Sequence, residues 1–150
     1  MRNDIFYLKL AIEKSKESAK KGLFPAGSLV VKEGKILSSE ISAPYPGYEH
    51  ADSKAVDHAF DKLKGHLQNA TLYSSMEPCL MCIARAYWTG IRRIVFAISK
   101  QNVSVSYYES EHNNEEVVKD FNEKIDLVHI KELQDEALEI VRSWEKRTGL

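Results

Sequence analysis

The chain has 150 residues, of which 21 are Lys or Arg and 22 are Asp or Glu, so its formal net charge is −1. This length can bury an apolar core without disulfide support, and we expect one domain spanning residues 1–150. Because basic and acidic residues are interspersed, the charge pattern argues against a nucleic-acid-binding surface. We find no apolar signal region and no stretch that could span a bilayer, so a cytoplasmic location is the default expectation.

Apolar periodicity predicts alternating helices and strands. The predicted helices lie at about 5–22, 50–63, 79–90, 115–121 and 133–144, and the predicted strands at 28–31, 35–38, 71–74, 94–98 and 125–130. The first two strands form a hairpin, and the helix between the last two strands implies that they pair in parallel. The predicted fold class is therefore α/β, with three α/β/α layers around a five-stranded mixed sheet.

Residues 99–114 show no helical period. They carry Tyr107, Tyr108 and His112, which we expect to pack within a loop. Trp144 is expected to be a core residue of the last helix.

Both cysteines lie in one short segment, as Cys79 and Cys82. Pro78 suits the start of a helix, where its fixed φ is tolerated and the helix dipole favours thiolates. In a reducing compartment such a pair indicates a metal or redox role more than a disulfide. Two thiolates do not complete a tetrahedral site, so we expect a third ligand from elsewhere and an open position for water.

A candidate third ligand is His50, at the predicted start of the helix that precedes the cysteines. The sequence His-Ala-Asp at 50–52, followed by Pro-Cys-Leu-Met-Cys at 78–82, resembles the His-x-Glu and Pro-Cys-x-x-Cys signature of the zinc-dependent nucleobase deaminases. The resemblance covers residues 22 to about 98 and implies the cytidine deaminase-like fold. The parallel last strand resembles the branch that contains tRNA adenosine, guanine and yeast-type cytosine deaminases. One position departs, because Asp52 stands where the family has glutamate.

The resemblance implies a Zn²⁺ ion held by His50, Cys79 and Cys82, with a carboxylate beside it. Two thiolates cancel much of the charge of the ion, so the carboxylate must take the proton of the bound water. In the family this acid also serves the ring nitrogen and the departing ammonia, and here the role falls to Asp52. Glu49 is a weaker alternative.

Aspartate is shorter than glutamate by one methylene, about 1.5 Å. A displacement near 1 Å can cost about a hundredfold in rate where proton transfer is tightly positioned. Three outcomes stay open for Asp52: the helix lies closer to the metal, a water relays the proton, or the site binds zinc with little turnover.

The resemblance also implies a substrate pocket. Residues 24–28, Phe-Pro-Ala-Gly-Ser, resemble a pocket-lining segment of the family, in which Gly27 would let the backbone approach the base. The asparagine that the family offers to the base after the second strand is not evident, and Ser42 is nearest by spacing. The backbone amides of Ala51 and Cys79 are implied to contact the base or the developing oxygen.

Together these features predict a zinc-dependent hydrolytic deaminase of a small amino-substituted nucleobase or nucleoside, guanine-like or cytosine-like, that releases ammonia. We expect a small-molecule partner, with neither nucleic acid nor membrane. The resemblance implies a homodimer with the cysteine helix near the interface. Two alternatives stay open: a tRNA adenosine deaminase, which would need a basic groove beside the pocket, and a catalytically idle zinc-binding module.

Overall fold

The computed structural model describes residues 3–150 and contains five helices and five strands. In chain order these are α1 (Asp4–Lys20), β1 (Gly27–Lys32), β2 (Lys35–Ile41), α2 (Ala51–Leu63), β3 (Ala70–Met76), α3 (Leu80–Thr89), β4 (Arg93–Ile98), α4 (Asn114–Val118), β5 (Asp126–His129) and α5 (Gln134–Thr148). Short 3₁₀ turns occupy Lys100–Asn102, Val105–Tyr107 and Lys131–Leu133. Within 3–150, no helix has both the length and the apolar character that a membrane crossing requires.

The five strands form one mixed sheet in the order β2-β1-β3-β4-β5. β1 pairs antiparallel with β2 and β3, whereas β3, β4 and β5 run parallel to one another. The hairpin between β1 and β2 turns at Glu33 and Gly34, which both have positive φ, as the tight hairpin turn requires. The predicted five-stranded mixed sheet and its parallel last strand are confirmed.

Two apolar clusters pack on opposite faces of the sheet. Successive residues of β1 alternate between them, because Leu29 and Val31 belong to one cluster and Val30 to the other. Helices α1 and α5 cover the first face, and α2 and α3 cover the second. This arrangement is the predicted three-layer α/β/α fold.

Two helix starts differ from the sequence-based expectation. Cys79 has an extended backbone (φ −73°, ψ 168°) and is the N-cap of α3, so the helix begins at Leu80 and Pro78 lies before it. Asn113 is the N-cap of α4, because its side chain accepts hydrogen bonds from the amides of residues 115 and 116. That helix was expected to start after residue 114 and to run to 121, and it is shorter, ending at Val118.

Candidate metal centre and substrate cavity

The starts of α2 and α3 bring three donor side chains together. His50 is the N-cap of α2 and Cys79 the N-cap of α3, with Cys82 in the first turn of the same helix. His50 Nδ1 lies 3.4 Å from Cys79 Sγ and 3.5 Å from Cys82 Sγ, and the two sulfurs are 3.7 Å apart. The predicted ligands therefore converge on one point.

These distances fit a tetrahedral zinc ion. With Zn–S bonds of about 2.3 Å and a Zn–N bond of about 2.0–2.1 Å, a regular tetrahedron places two sulfurs about 3.8 Å apart and each about 3.6 Å from the nitrogen. The three observed separations agree with these values to within about 0.2 Å. An ion seated on this triangle would keep a fourth position toward the side that the three donors leave open.

Neighbouring backbone groups orient the donors. His50 Nε2 lies 2.8 Å from the carbonyl oxygen of Gly47 and donates to it, which turns Nδ1 toward the two sulfurs. The backbone at Ser53 acts to lower the pKa of Cys82, and the backbone at Cys82 acts to lower the pKa of Cys79. N–H groups at helix starts stabilise thiolates, so the local backbone already favours the metal-binding form of the cysteines.

The three donors also share protons with one another. The hydrogen bond from Cys82, reinforced by His50, lowers the pKa of Cys79 to about 5. The same bond, together with burial, raises the pKa of Cys82 well above its ordinary value. The hydrogen bond to Cys79 raises the pKa of His50 to about 9. A divalent cation would displace these shared protons, as ligand sites do when they bind a metal.

Asp52 lies in the first turn of α2 and is 8% exposed. Its Oδ1 accepts a hydrogen bond from the Ser28 hydroxyl on β1. Burial raises the pKa of Asp52 to about 6, against the opposing effect of its hydrogen bond from Ser28. A carboxyl group with a pKa near neutrality can both accept and release a proton, which is the property that acid–base catalysis needs.

A cavity of about 190 Å³ opens beside these groups. Its lining includes His50, Asp52 and Cys79 at one end. Two stretches of chain form its walls, namely residues 42–47 before α2 and residues 106–108 after β4. The cavity therefore joins the candidate metal centre to the loop that the sequence analysis assigned only to packing.

The other end of the cavity is aromatic. Phe24, Tyr45 and Tyr107 line it, with Phe24 and Tyr107 in an edge-to-face contact at a centroid distance of 5.0 Å. Trp144 of α5 lies behind them, 5.5 Å from Phe24. The Tyr107 hydroxyl donates to Glu145 of α5, and burial is the main reason that the pKa of Tyr107 is raised. We call these four rings, from Phe24, Tyr45, Tyr107 and Trp144, the aromatic mouth.

The residues predicted to bind substrate do not all reach the cavity. Ala51 and Ser42 line it, and within residues 3–150 the Ser42 hydroxyl has no hydrogen-bond partner. Gly27 is not among the lining residues, whereas its neighbour Ala26 is. A Cβ at Gly27 would lie 2.4 Å from the Ala11 carbonyl oxygen of α1, so this glycine permits close packing of helix on strand. A substrate-binding role for Gly27 stays a prediction.

Sequence reasoning missed Ser28 as the partner of Asp52. The signal was that Ser28 is the one hydroxyl residue in the run Gly-Ser-Leu-Val-Val of β1. Its side chain is buried, with 0% exposure. Glu49, the weaker alternative acid, lines the cavity but is exposed, whereas Asp52 is buried. The structure thus places the better shielded carboxylate at the position two residues after His50.

The fold and the convergent His-Cys-Cys cluster define a zinc-binding α/β domain of the deaminase type. Residues 1–98 match the family model described as the cytidine and deoxycytidylate deaminase zinc-binding region, and the chain belongs to this family. The His-Cys-Cys cluster and the family together support Zn²⁺ as the cofactor.

Two relatives and one solved structure illustrate the range of this family. A probable cytosine deaminase of Schizosaccharomyces pombe is 36% identical over 103 residues, which cover 67% of this chain and 63% of that protein. A tRNA-specific adenosine deaminase of Aquifex aeolicus is 32% identical over 108 residues, which cover 67% of this chain and 70% of that protein. The structure of a guanine deaminase from Nitrosomonas europaea is similar in fold, with a TM-score of 0.78 and 22% identity, over 93% of this chain and 83% of that one.

Proposed function

We propose that this protein is a zinc-dependent hydrolytic deaminase of a free nucleobase, guanine-like or cytosine-like, that exchanges an exocyclic amino group for oxygen and releases ammonia. The observation that carries the proposal is that His50 and Cys79, two members of the triangle that Cys82 completes, line one cavity together with the buried carboxyl group of Asp52. The balanced reaction consumes one water and yields the oxo base and ammonia.

In this proposal His50, Cys79 and Cys82 hold the zinc ion. The ion would supply Lewis acidity that makes a water molecule nucleophilic at neutral pH. Asp52 takes the proton of that water, delivers it to the ring nitrogen and assists the departure of ammonia. The Ser28 hydroxyl holds the Asp52 carboxylate in one orientation for this proton transfer.

The size and lining of the cavity support a small flat substrate. Its volume of about 190 Å³ lies below the range of about 300–1,000 Å³ that holds drug-sized ligands. The rings of Phe24, Tyr45 and Tyr107 offer apolar surface to a planar heterocycle. We propose that Ser42, through its hydroxyl, and Ala51, through its amide, bind the polar edge of the base. The branch of the family that the fold resembles places guanine-like bases slightly ahead.

The second candidate is a tRNA adenosine deaminase, favoured by the relative from Aquifex aeolicus. Against it stands the near-neutral charge of −1, since RNA binding needs a basic surface. Salt-dependent binding of an anticodon stem-loop RNA, with inosine formed in it, would support this candidate over the free-base deaminase.

The test is ammonia release from a panel of free bases, nucleosides and stem-loop RNA, with wild type beside Asp52→Glu and Asp52→Ala. Turnover in wild type that is lost in Asp52→Ala and not improved in Asp52→Glu supports a site adapted to aspartate. No ammonia release by wild type, together with ammonia release by Asp52→Glu, would instead support the catalytically idle zinc-binding module.

We also propose a homodimer and a cytoplasmic location. Trp88 and Met81 on α3 are 79% and 38% exposed, so the outer side of the cysteine helix offers apolar surface to a second copy. Two free buried thiols are compatible with a reducing compartment. Sedimentation of wild type and Trp88→Glu tests the dimer, since a charge at this site should favour the monomer.

A further inference from the structure

The segment that presents Cys79 is held from one side by a loop. We call residues 77–80 the cysteine segment and residues 99–114 the brace. The Tyr108 hydroxyl donates to the Glu77 carbonyl oxygen at 2.6 Å. The Leu80 amide, in the first turn of α3, donates to Glu109 Oε1 at 2.9 Å. The brace therefore contacts the backbone on both sides of Cys79.

Glu77 connects the cysteine segment to the brace through its side chain as well. Its Oε1 accepts from the backbone amide of Lys100 at 2.9 Å, and its Oε2 accepts from Asn114 Nδ2 at 2.7 Å. Within residues 3–150 no lysine, arginine or histidine forms an ion pair with this carboxylate, so neutral N–H groups satisfy it. A partly buried carboxylate is tolerated only where such donors are fixed in place.

Asn114 is the centre of this network. It is 2% exposed, and its Nδ2 donates to Pro78 O at 3.1 Å as well as to Glu77. Its Oδ1 lies 3.1 Å from His112 Nε2, which acts as the donor. The bond from His112 fixes which end of the Asn114 amide faces the cysteine segment, because a flipped amide would place two donors together.

We propose that Glu77 and Asn114 are positioning residues that hold the Pro78–Cys79 backbone so that the Cys79 thiolate points at the metal. This inference rests on the proposed metal site and adds two residues that are not metal ligands; Glu77 also lines the cavity, whereas Asn114 does not. Asn114 donates to the peptide carbonyl immediately before Cys79, and Glu77 accepts from Lys100 near the start of the brace and from Asn114 at its end. Loosening either contact lets the Cys79 Sγ move away from His50 and Cys82.

The expected loss of zinc affinity follows from the known effect of hydrogen-bonding partners that support metal ligands. Removing a hydrogen-bonding partner outside the ligand shell typically costs about 10–100-fold in metal affinity. Because Glu77 and Asn114 act on the ligand through its backbone, we expect the lower end of that range, a rise of about tenfold in the zinc Kd.

The experiment measures the zinc Kd of the full chain by competition with a chromogenic chelator at pH 8. The variants are Glu77→Gln, Asn114→Asp and the two combined. Glu77→Gln turns an amide NH2 toward one of the two N–H donors, of Lys100 or Asn114, that the carboxylate accepts from, and Asn114→Asp brings two carboxylates together, so each should weaken zinc binding about tenfold. In the double variant the amide at 77 can donate to the carboxylate at 114, and zinc should bind about threefold more tightly than to Asn114→Asp alone.

Tyr73→Phe is the matched control, since it removes the hydrogen bond from Tyr73 to Asp4 at the other side of the sheet. It should lower the unfolding midpoint without changing the zinc Kd. Single variants that lower the midpoint as Tyr73→Phe does but keep the wild-type Kd would overturn the positioning role. Additive losses in the double variant would also overturn it. If wild type itself does not bind about one zinc per chain, the proposed metal site fails instead.

Discussion

The two ends of the cavity are built in different ways. At the metal end, His50, Cys79 and Cys82 come from two helix starts, and their separations are those that zinc bond lengths impose. At the aromatic mouth, four rings come from four distant parts of the chain and meet only through packing. If the proposed function holds, we expect the metal end to fix the chemistry and the aromatic mouth to influence which substrate binds.

The largest effect is expected from Cys82→Ala at the metal end. Cys82 is 0% exposed and supplies one of three donors, so its loss leaves two, too few for a stable zinc site. Zinc content measured by atomic emission should fall from about one per chain to near zero, and ammonia release should be lost. Wild-type zinc content in this variant would contradict the ligand assignment. Ser38→Ala, a change on β2 that removes one buried hydrogen bond to Ala55, should keep the metal.

The next largest effect is expected from Ser28→Ala. This variant tests the orientation of Asp52 without changing a metal ligand. The Ser28 hydroxyl donates to the Asp52 carboxyl group. Hydrogen bonds to charged groups contribute about 1.5–3 kcal/mol, and a freed carboxylate loses its alignment with the reacting atoms. We expect kcat to fall about tenfold with zinc content unchanged.

Ser38→Ala is the matched control for this change as well, since both serines are buried in the hairpin of β1 and β2. A fall in kcat of equal size in both variants would show that Ser28 acts through stability alone. Steady-state ammonia release by equally folded samples makes the comparison.

The difference between the two ends also explains what the sequence could reveal. The metal end follows from a short motif, because two cysteines separated by two residues at one helix start, and a histidine at another, can be recognised from spacing. The mouth has no such motif. Tyr107 lies in a stretch without helical period, and Trp144 satisfies the apolar pattern of α5 whether or not it lies behind a cavity.

Gly27 and Asn114 show why local patterns have limits. Gly27 belongs to a segment that resembles a pocket wall, yet its close neighbour is the separate helix α1, and the sequence pattern does not show that this helix packs against it. Asn114 is a polar residue in a polar stretch, Asn-Asn-Glu-Glu, and only its burial against Pro78 distinguishes it from a solvated helix start. The fold class was predictable because hydrophobic periodicity is a property of each local segment. The contacts of Gly27 and Asn114 instead join different elements, and no local pattern shows which elements will meet.

Gly27→Ala is expected to have a moderate effect, on stability. The new Cβ would lie 2.4 Å from Ala11 O and from Lys14 Cβ, so α1 must shift away from β1. Overpacking of this kind costs about 1–3 kcal/mol in the free energy of unfolding, measurable by urea denaturation. Gly65→Ala is the control, because a Cβ there meets its nearest atom only at 4.0 Å. A rise in KM with an unchanged free energy of unfolding would instead support the substrate-binding role predicted for Gly27.

The smallest effect is expected at the mouth, from Tyr107→Phe. The change keeps the ring against Phe24 but removes the hydroxyl that ties the cavity wall to Glu145 of α5. A single hydrogen bond contributes about 0.5–1.5 kcal/mol, so KM for a free base should rise about threefold while kcat stays within about twofold. Tyr45→Phe removes a comparable bond, to the Ser106 carbonyl at 3.2 Å, and should act in the same direction. If kcat fell and KM did not, the mouth would share in the chemistry and the division of the cavity into two ends would be wrong.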